Sequence, residues 1–203
     1  MPGEGVTQSK MLSTWHSGLG GSRADTEVYF FESNNKGGTV LVLGGTHPNE
    51  PAAYMAAVLI LENARIDRGR MILIPRANAS AFSSTEPQEG HPQRYSINSS
   101  DGSPRWFRMG GRLSNPLDQW PDPEIAIHNP SGQALSGNET RNLNRCFPGS
   151  KNGNFTEQVA FAISKVIEDE AVDLIIDLHE ASIEYPVINA LVAHERAGDL
   201  AAA

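Results

Sequence analysis

Thr39-Val-Leu-Val-Leu-Gly-Gly-Thr-His-Pro-Asn-Glu-Pro-Ala-Ala53 is the stretch on which the fold turns. Its first part, Val40 to Leu43, is short, wholly apolar and partly β-branched, the composition of a strand buried on both faces of a parallel sheet. Gly44 and Gly45 end the strand and let the backbone turn with no Cβ in the way. From Asn49 to about Ala64 the residues read as a helix rich in Ala, Met and Leu, with Ala53, Ala56, Ala57 and Ile60 sharing one face. Pro51 fits that helix only because it falls in the first turn, where its missing N–H costs nothing. Beyond Gly69, Arg70-Met-Ile-Leu-Ile-Pro75 reads as the next buried strand. Residues 39–75 therefore predict one β-α-β unit.

Outward from this unit the chain is uneven. Residues 1–25 are rich in Gly and Ser, show no period, and read as a loose, flexible lead-in. Thr26 to Glu32 reads as a strand, and Asn34-Asn-Lys-Gly-Gly38 as a turn. Residues 83–140 are dominated by Gly, Pro, Ser, Asn and Gln with scattered aromatics (Tyr95, Trp106, Phe107, Trp120) and show neither helical nor strand period. A segment of that length without regular structure is usually functional or disordered, and its Trp and Phe point to an ordered excursion over the site. Asn154 to Glu170 reads as a second helix, with Phe155, Val159, Ile163 and Val166 at three- and four-residue steps. Val172-Asp-Leu-Ile-Ile-Asp-Leu178 is a second buried strand, and Val187 to Ala193 is a candidate for one more. The last residues, Leu200-Ala-Ala-Ala203, read as the start of a helix with no cap or polar tail, as in a fragment of a longer protein. The fold class this predicts is α/β: a mixed, largely parallel sheet flanked by helices. Residues 26–203 would make a single, incomplete domain carrying the insert 83–140.

The bulk numbers narrow the choice of partner. With 24 Asp plus Glu against 16 Lys plus Arg the net charge is −8, which disfavours nucleic acid or an anionic membrane as partner. A small acidic substrate needs only one or two local arginines. No apolar run approaches the roughly 18–20 residues of a membrane helix, and Met1-Pro-Gly-Glu-Gly lacks the regions of a signal peptide. A single cysteine, Cys146, allows neither a disulfide framework nor a cysteine-based zinc knuckle, and a reducing cytoplasm is the default setting. The sequence says nothing of oligomeric state.

Two histidines each follow a buried strand: His47 after the first, His179 at the end of the strand from Val172. Glu50 lies three residues after His47, which in a first helical turn puts both side chains on one side. Two imidazoles and a carboxylate leave a tetrahedral zinc ion one position for water, the mark of a catalytic rather than a structural site. In an open α/β sheet the crevice beyond the carboxyl ends of the parallel strands is where such residues meet. Asp177, two residues before His179, would share its strand face and hold the other imidazole nitrogen. The plain reading of each residue alone is different: H-x-x-E is common on surface helices, and a histidine after a strand is usually a satisfied polar group. His16, His91, His128 and His194 lack the strand context and read as surface or loop residues. Gly-Gly-Thr-His matches neither the P-loop nor the dinucleotide fingerprint.

A third group is Glu139-Thr-Arg-Asn-Leu-Asn-Arg-Cys-Phe-Pro-Gly149. A guanidinium offers a planar fork for a carboxylate, so Arg141 and Arg145 could select an acidic substrate, with surface ion pairing as the plainer role for Arg141. Cys146 reads as a small buried thiol rather than a nucleophile.

Taken in order, Gly-Thr-His-Pro-Asn-Glu, Asn-Leu-Asn-Arg-Cys-Phe and Asp-Leu-His-Glu-Ala resemble the motifs of the zinc carboxypeptidase-like superfamily, and within it the aspartoacylase/succinylglutamate desuccinylase branch. The resemblance covers about residues 39–82 and 139–193. It implies one zinc ion per chain on His47, Glu50 and His179, and a substrate carboxylate gripped by Asn144 and Arg145. It also implies hydrolysis of an amide or ester bond beside that carboxylate, as in N-acyl amino acid deacylation. The family's oxyanion arginine has no clear counterpart; Arg141 is the candidate, with Arg105, Arg108 and Arg112 as rivals. Its general base is a glutamate well downstream of the third ligand, which places the base outside this chain. Glu180, if in a strand, would point to the opposite face from His179, and Glu184 is a remote substitute. The alternatives are a metallocarboxypeptidase acting on peptides and a zinc-binding module without catalysis.

Overall fold

A computed structural model describes residues 1–85, 92–129, 131–181 and 190–202. Its centre is a five-stranded sheet built from β1 (Gln8–Met11), β2 (Glu27–Glu32), β3 (Thr39–Leu43), β4 (Arg70–Ile74) and β9 (Leu174–Asp177), in the order β1-β2-β4-β3-β9. β3 pairs in parallel with β4 on one side and β9 on the other, while β2 is antiparallel to both its neighbours. Only β2 thus runs against the rest, and the sheet is mixed and largely parallel, flanked by helices.

Alternation along each strand assigns the two faces. Val28, Phe30, Leu41, Leu43, Ile72 and Ile74 point one way and pack with Val159, Ala160, Ile163 and Val166 of α2 (Phe155–Asp169). Tyr29, Phe31, Val42, Met71 and Leu73 point the other way and meet Ala57 and Leu61 of α1 (Pro51–Asn63). The result is three layers, with β2, β3 and β4 buried between the two helices. α2 begins with a capping box: Asn154 accepts from the Glu157 amide, and the Glu157 side chain accepts from the Asn154 amide. α1 has Pro51 in its first turn, as expected, but its buried stripe is Ala53, Ala57 and Leu61 rather than the Ala56–Ile60 side. The stripe is set by Gly44: a Cβ there would collide with Ala57, so α1 crosses the end of β3 at backbone contact.

Three expectations are corrected. Residues 1–25 are not a loose lead-in: they supply β1 at the sheet edge, and Leu12 and Leu19 are wholly buried in the core. Their Gly and Ser residues hid two short 3₁₀ turns, Leu12–Thr14 and Ser17–Leu19, that carry those leucines inward. The insert is not without strands: β5 (Arg94–Asn98) pairs with β6 (Pro104–Arg108), and β7 (Ile125–Ile127) with β8 (Ala134–Ser136). The first ribbon docks through Phe107 and Tyr95, whose rings stack at 5.5 Å, with Phe107 also edge-on to Tyr54 of α1 at 6.2 Å. Tyr95 Oη donates to the Pro51 carbonyl at 3.0 Å, so the insert does lie over the start of α1. His16, read as a surface residue, is buried, edge-on to Phe161 and bonded to Gln158 at 3.0 Å. Residues 187–189 of the expected extra strand lie outside the described residues, as do His91 and Glu184, and 190–193 are irregular. The chain closes on a short helix, α3 (Gly198–Ala202).

A candidate metal centre at the ends of β3 and β9

His47 is reached by a tight turn out of β3. Gly44 N–H donates to the Ile74 carbonyl, and Gly45 takes φ +60°, a left-handed conformation that suits glycine. A Cβ on Gly45 would also meet the Phe82 ring at 2.7 Å. The turn carries Thr46 and His47, both buried, into the crevice, and Glu50 lies at the N-cap of α1. β9 delivers Asp177 and, two residues past its end, His179. β3 and β9 pair in parallel with Leu43 beside Asp177, so the two strands discharge their histidines side by side. The imidazole rings stand 4.9 Å apart between centroids.

Glu50 sits between them. Its Oε1 accepts from His47 Nδ1 at 2.9 Å and from Arg112 Nη1 at 2.9 Å. Its Oε2 faces His179 Nδ1 at 2.9 Å and accepts from the Glu180 amide at 3.0 Å. Burial pushes the Glu50 carboxyl up, but the bonds from His179, His47 and the Glu180 amide outweigh it and hold the group well below the usual carboxylate range. The far nitrogens are held too. His47 Nε2 lies 2.8 Å from Asn142 Oδ1, and His179 Nε2 lies 2.9 Å from Asp177 Oδ2, while Asp177 Oδ1 accepts from Thr46 Oγ1 at 2.8 Å. Asp177 first and Glu50 second raise the His179 pKa to about 9, against the opposing pull of burial.

One atom each of His47, Glu50 and His179 lie within 4.8 Å of one another. Two imidazole nitrogens and a carboxylate oxygen are a donor set suited to zinc, and both rings have acceptors on the nitrogens that point away, which frees the Nδ1 positions to converge. Two carboxylates, Glu50 and Asp177, surround His179, and Arg112 sets its positive charge against Glu50. His179 is the exposed member of the three, His47 the buried one.

The other expected residues are placed as follows. Arg141 is not positioned to stabilise an oxyanion. Its guanidinium is nearly buried and engaged on every arm, to both Asp122 oxygens at 2.8 Å and to the Ser114 carbonyl at 2.8 Å. Arg105 reaches Glu62, and Arg108 Nε donates to the Phe82 carbonyl. The arginine that reaches Glu50 is Arg112. Asn144 and Arg145 lie on a 3₁₀ turn, Leu143–Arg145, directly after Asn142; Arg145 Nη1 donates to Asn144 Oδ1 at 2.9 Å and its Nε is 3.7 Å from Glu139. β9 ends at Asp177, so strand alternation does not govern Glu180, whose amide points at Glu50. The Cys146 thiol donates to the Thr140 and Asn142 carbonyls, and burial, with Glu157 and Glu139 nearby, raises its pKa to about 12. It is no nucleophile. The sequence reading missed Thr46 and Asn142; Asn142 sits two residues before Asn144 in Asn-Leu-Asn-Arg, and that spacing was its only signal.

No family model matches the chain, and no curated protein matches it. Among solved structures it is similar to a succinylglutamate desuccinylase/aspartoacylase from Rhodobacter sphaeroides, with 23% identity over 77% of this chain and 34% of that one and a TM-score of 0.46. It is similar to an aspartoacylase family protein from Mesorhizobium loti, with 24% identity, 76% and 34% coverage and a TM-score of 0.42. A product-bound ectoine utilization protein from Ruegeria pomeroyi matches at 22% identity, 74% and 32% coverage and a TM-score of 0.43. The chain spans about a third of the length of these solved structures.

Proposed function

We propose that the chain carries the metal centre of a zinc-dependent hydrolase that cleaves an amide or ester bond beside a carboxylate. The observation that carries the reading is the convergence of His47, Glu50 and His179 with both outer ring nitrogens already held. Zinc bound there would polarise a carbonyl and lower the pKa of water towards about 7. The chain's own residues do the rest. Asn142 and Asp177 fix the two rings, and Thr46 fixes Asp177. Arg112, at the rim of the ligand cluster, offers a cation to the oxygen on which charge develops in the transition state. Asn144 and Arg145 bind the substrate carboxylate, for which an exposed guanidinium fork is suited. Glu180, beside His179 with its side chain exposed, is the first residue to test as proton acceptor, by Glu180→Gln.

The test is elemental analysis of the purified chain against His179→Ala, followed by a hydrolysis screen of N-acyl amino acids against short peptides. One equivalent of zinc, lost in the variant, with N-acyl amino acids preferred, is the expected result. Preference for peptides would move the assignment to a carboxypeptidase. Zinc without any turnover, even in a longer chain that supplies a downstream glutamate, would favour a binding module, and a wild-type chain that takes up no metal would end the proposal.

A further inference from the structure

His47 differs from His179 in what holds its outer nitrogen. Asp177 is a carboxylate and can only accept, so His179 must keep a proton on Nε2. His47 instead faces Asn142, a carboxamide that is wholly buried. The two ends of an amide are alike in shape and opposite in function. If Oδ1 faces His47, Nε2 carries a proton, and Nδ1 can give up its own to present a lone pair. If Nδ2 faces His47, Nε2 must accept, and the ring's proton is held on Nδ1, the nitrogen that points at Glu50. Glu50 Oε1, 2.9 Å from Nδ1, favours that second arrangement. Something must therefore hold the amide the right way round.

We infer that Glu139 is that residue: a positioning carboxylate that orients the Asn142 amide, and through it keeps a proton on His47 Nε2, so that Nδ1 is the nitrogen left for a metal to take. Glu139 Oε2 accepts from Asn142 Nδ2 at 2.8 Å, and a carboxylate there rejects the flipped amide because two oxygens would meet. The Glu139 carbonyl also accepts from the Asn142 backbone N–H at 3.1 Å, which fixes the residue as a whole. The same Oε2 lies 3.7 Å from Arg145 Nε. One carboxylate oxygen thus serves both the ring that would bind metal and the arginine assigned to the substrate. The metal-directed part of this inference rests on the function proposed above; the orientation of the ring does not.

The experiment uses protein with ¹⁵N-labelled histidine, the His47 signals assigned by loss in His47→Gln. In the metal-free wild type Nε2 of His47 carries a proton. In Glu139→Ala Nε2 loses it, and Nδ1 alone carries one. The double variant Glu139→Ala/Asn142→Asp restores the Nε2 proton, because an aspartate accepts in either orientation and needs no guide. Zinc affinity, read by chelator competition, should fall about 10–100-fold in Glu139→Ala and recover in the double variant. Arg145→Ala should leave both readouts within twofold of wild type, which separates the ring from the ion pair. A protonated Nε2 in folded Glu139→Ala overturns the inference. Should that single variant not fold, a double variant whose Nε2 bears no proton overturns it as well. A wild type that binds no zinc ends the function proposed above, while the ring signals still decide this one.

Discussion

The convergence of the two histidines was legible because each follows an apolar strand, and the end of a parallel strand is a fixed address. Thr46 and Asn142 were not, since a polar side chain declares its partner only when distant backbone arrives beside it. The same limit put Arg141 at the site and left Arg112 among the rivals: an arginine's role is decided by which carboxylate reaches it first. Arg112→Ala should leave zinc bound and lower turnover about 100-fold, the scale of losing one transition-state donor; unchanged kcat would remove Arg112 from the mechanism. His179 gives a pH dependence. Held up to about 9 by Asp177 and Glu50, it carries a proton at neutral pH in the metal-free protein and must shed it to bind a metal. Zinc affinity should therefore climb as pH rises from 7 towards 9 and then level off; a flat profile in chelator competition would count against the shift. For the metal-free fold the sign is opposite. The pairing stabilises fully below the unfolded value of 6.5, and that contribution fades as pH rises through about 9.

Among the elements, α1, α2 and β3 were read nearly to their ends, because each has a long enough period or a cap to mark it. The Asn154–Glu157 capping box is written in the sequence, and Asn154→Ala should cost about 1 kcal/mol in urea denaturation. The ribbons of the insert escaped notice for a physical reason. Arg94-Tyr-Ser-Ile-Asn98 alternates polar and apolar but over five residues only, and its partner strand opens on Pro104, so the ribbon is anchored by aromatic packing on α1. Arg141 belongs at this scale. Its fork on Asp122 and its bond to Ser114 tie the approach to β7 to the segment before Asn142. Arg141→Ala strands a mostly buried Asp122 and should destabilise the chain by about 3 kcal/mol while zinc affinity stays unchanged. Loss of zinc with no loss of stability would return Arg141 to the site.

For the whole molecule, the layered α/β arrangement and the convergence of the two strand ends followed from the β-α-β unit and one more apolar run. What did not follow was the lead-in, whose leucines are core residues disguised among glycines. The sheet is also unequal in its hold on its members. β4 is paired on both sides, whereas β9 is paired on β3 alone among the described residues, with Ile175 47% and Ile176 41% exposed. A strand fastened along one side is where a sheet breathes first. Because His179 rides just beyond that strand while its two companions stand on the β3 side, a shared ion would act as a rivet across an edge seam. Breathing of the seam and release of the ion become a single equilibrium. Amide exchange at Leu174 to Asp177 should then slow about 100-fold with zinc at a hundred times its Kd, and exchange within β4 should not respond.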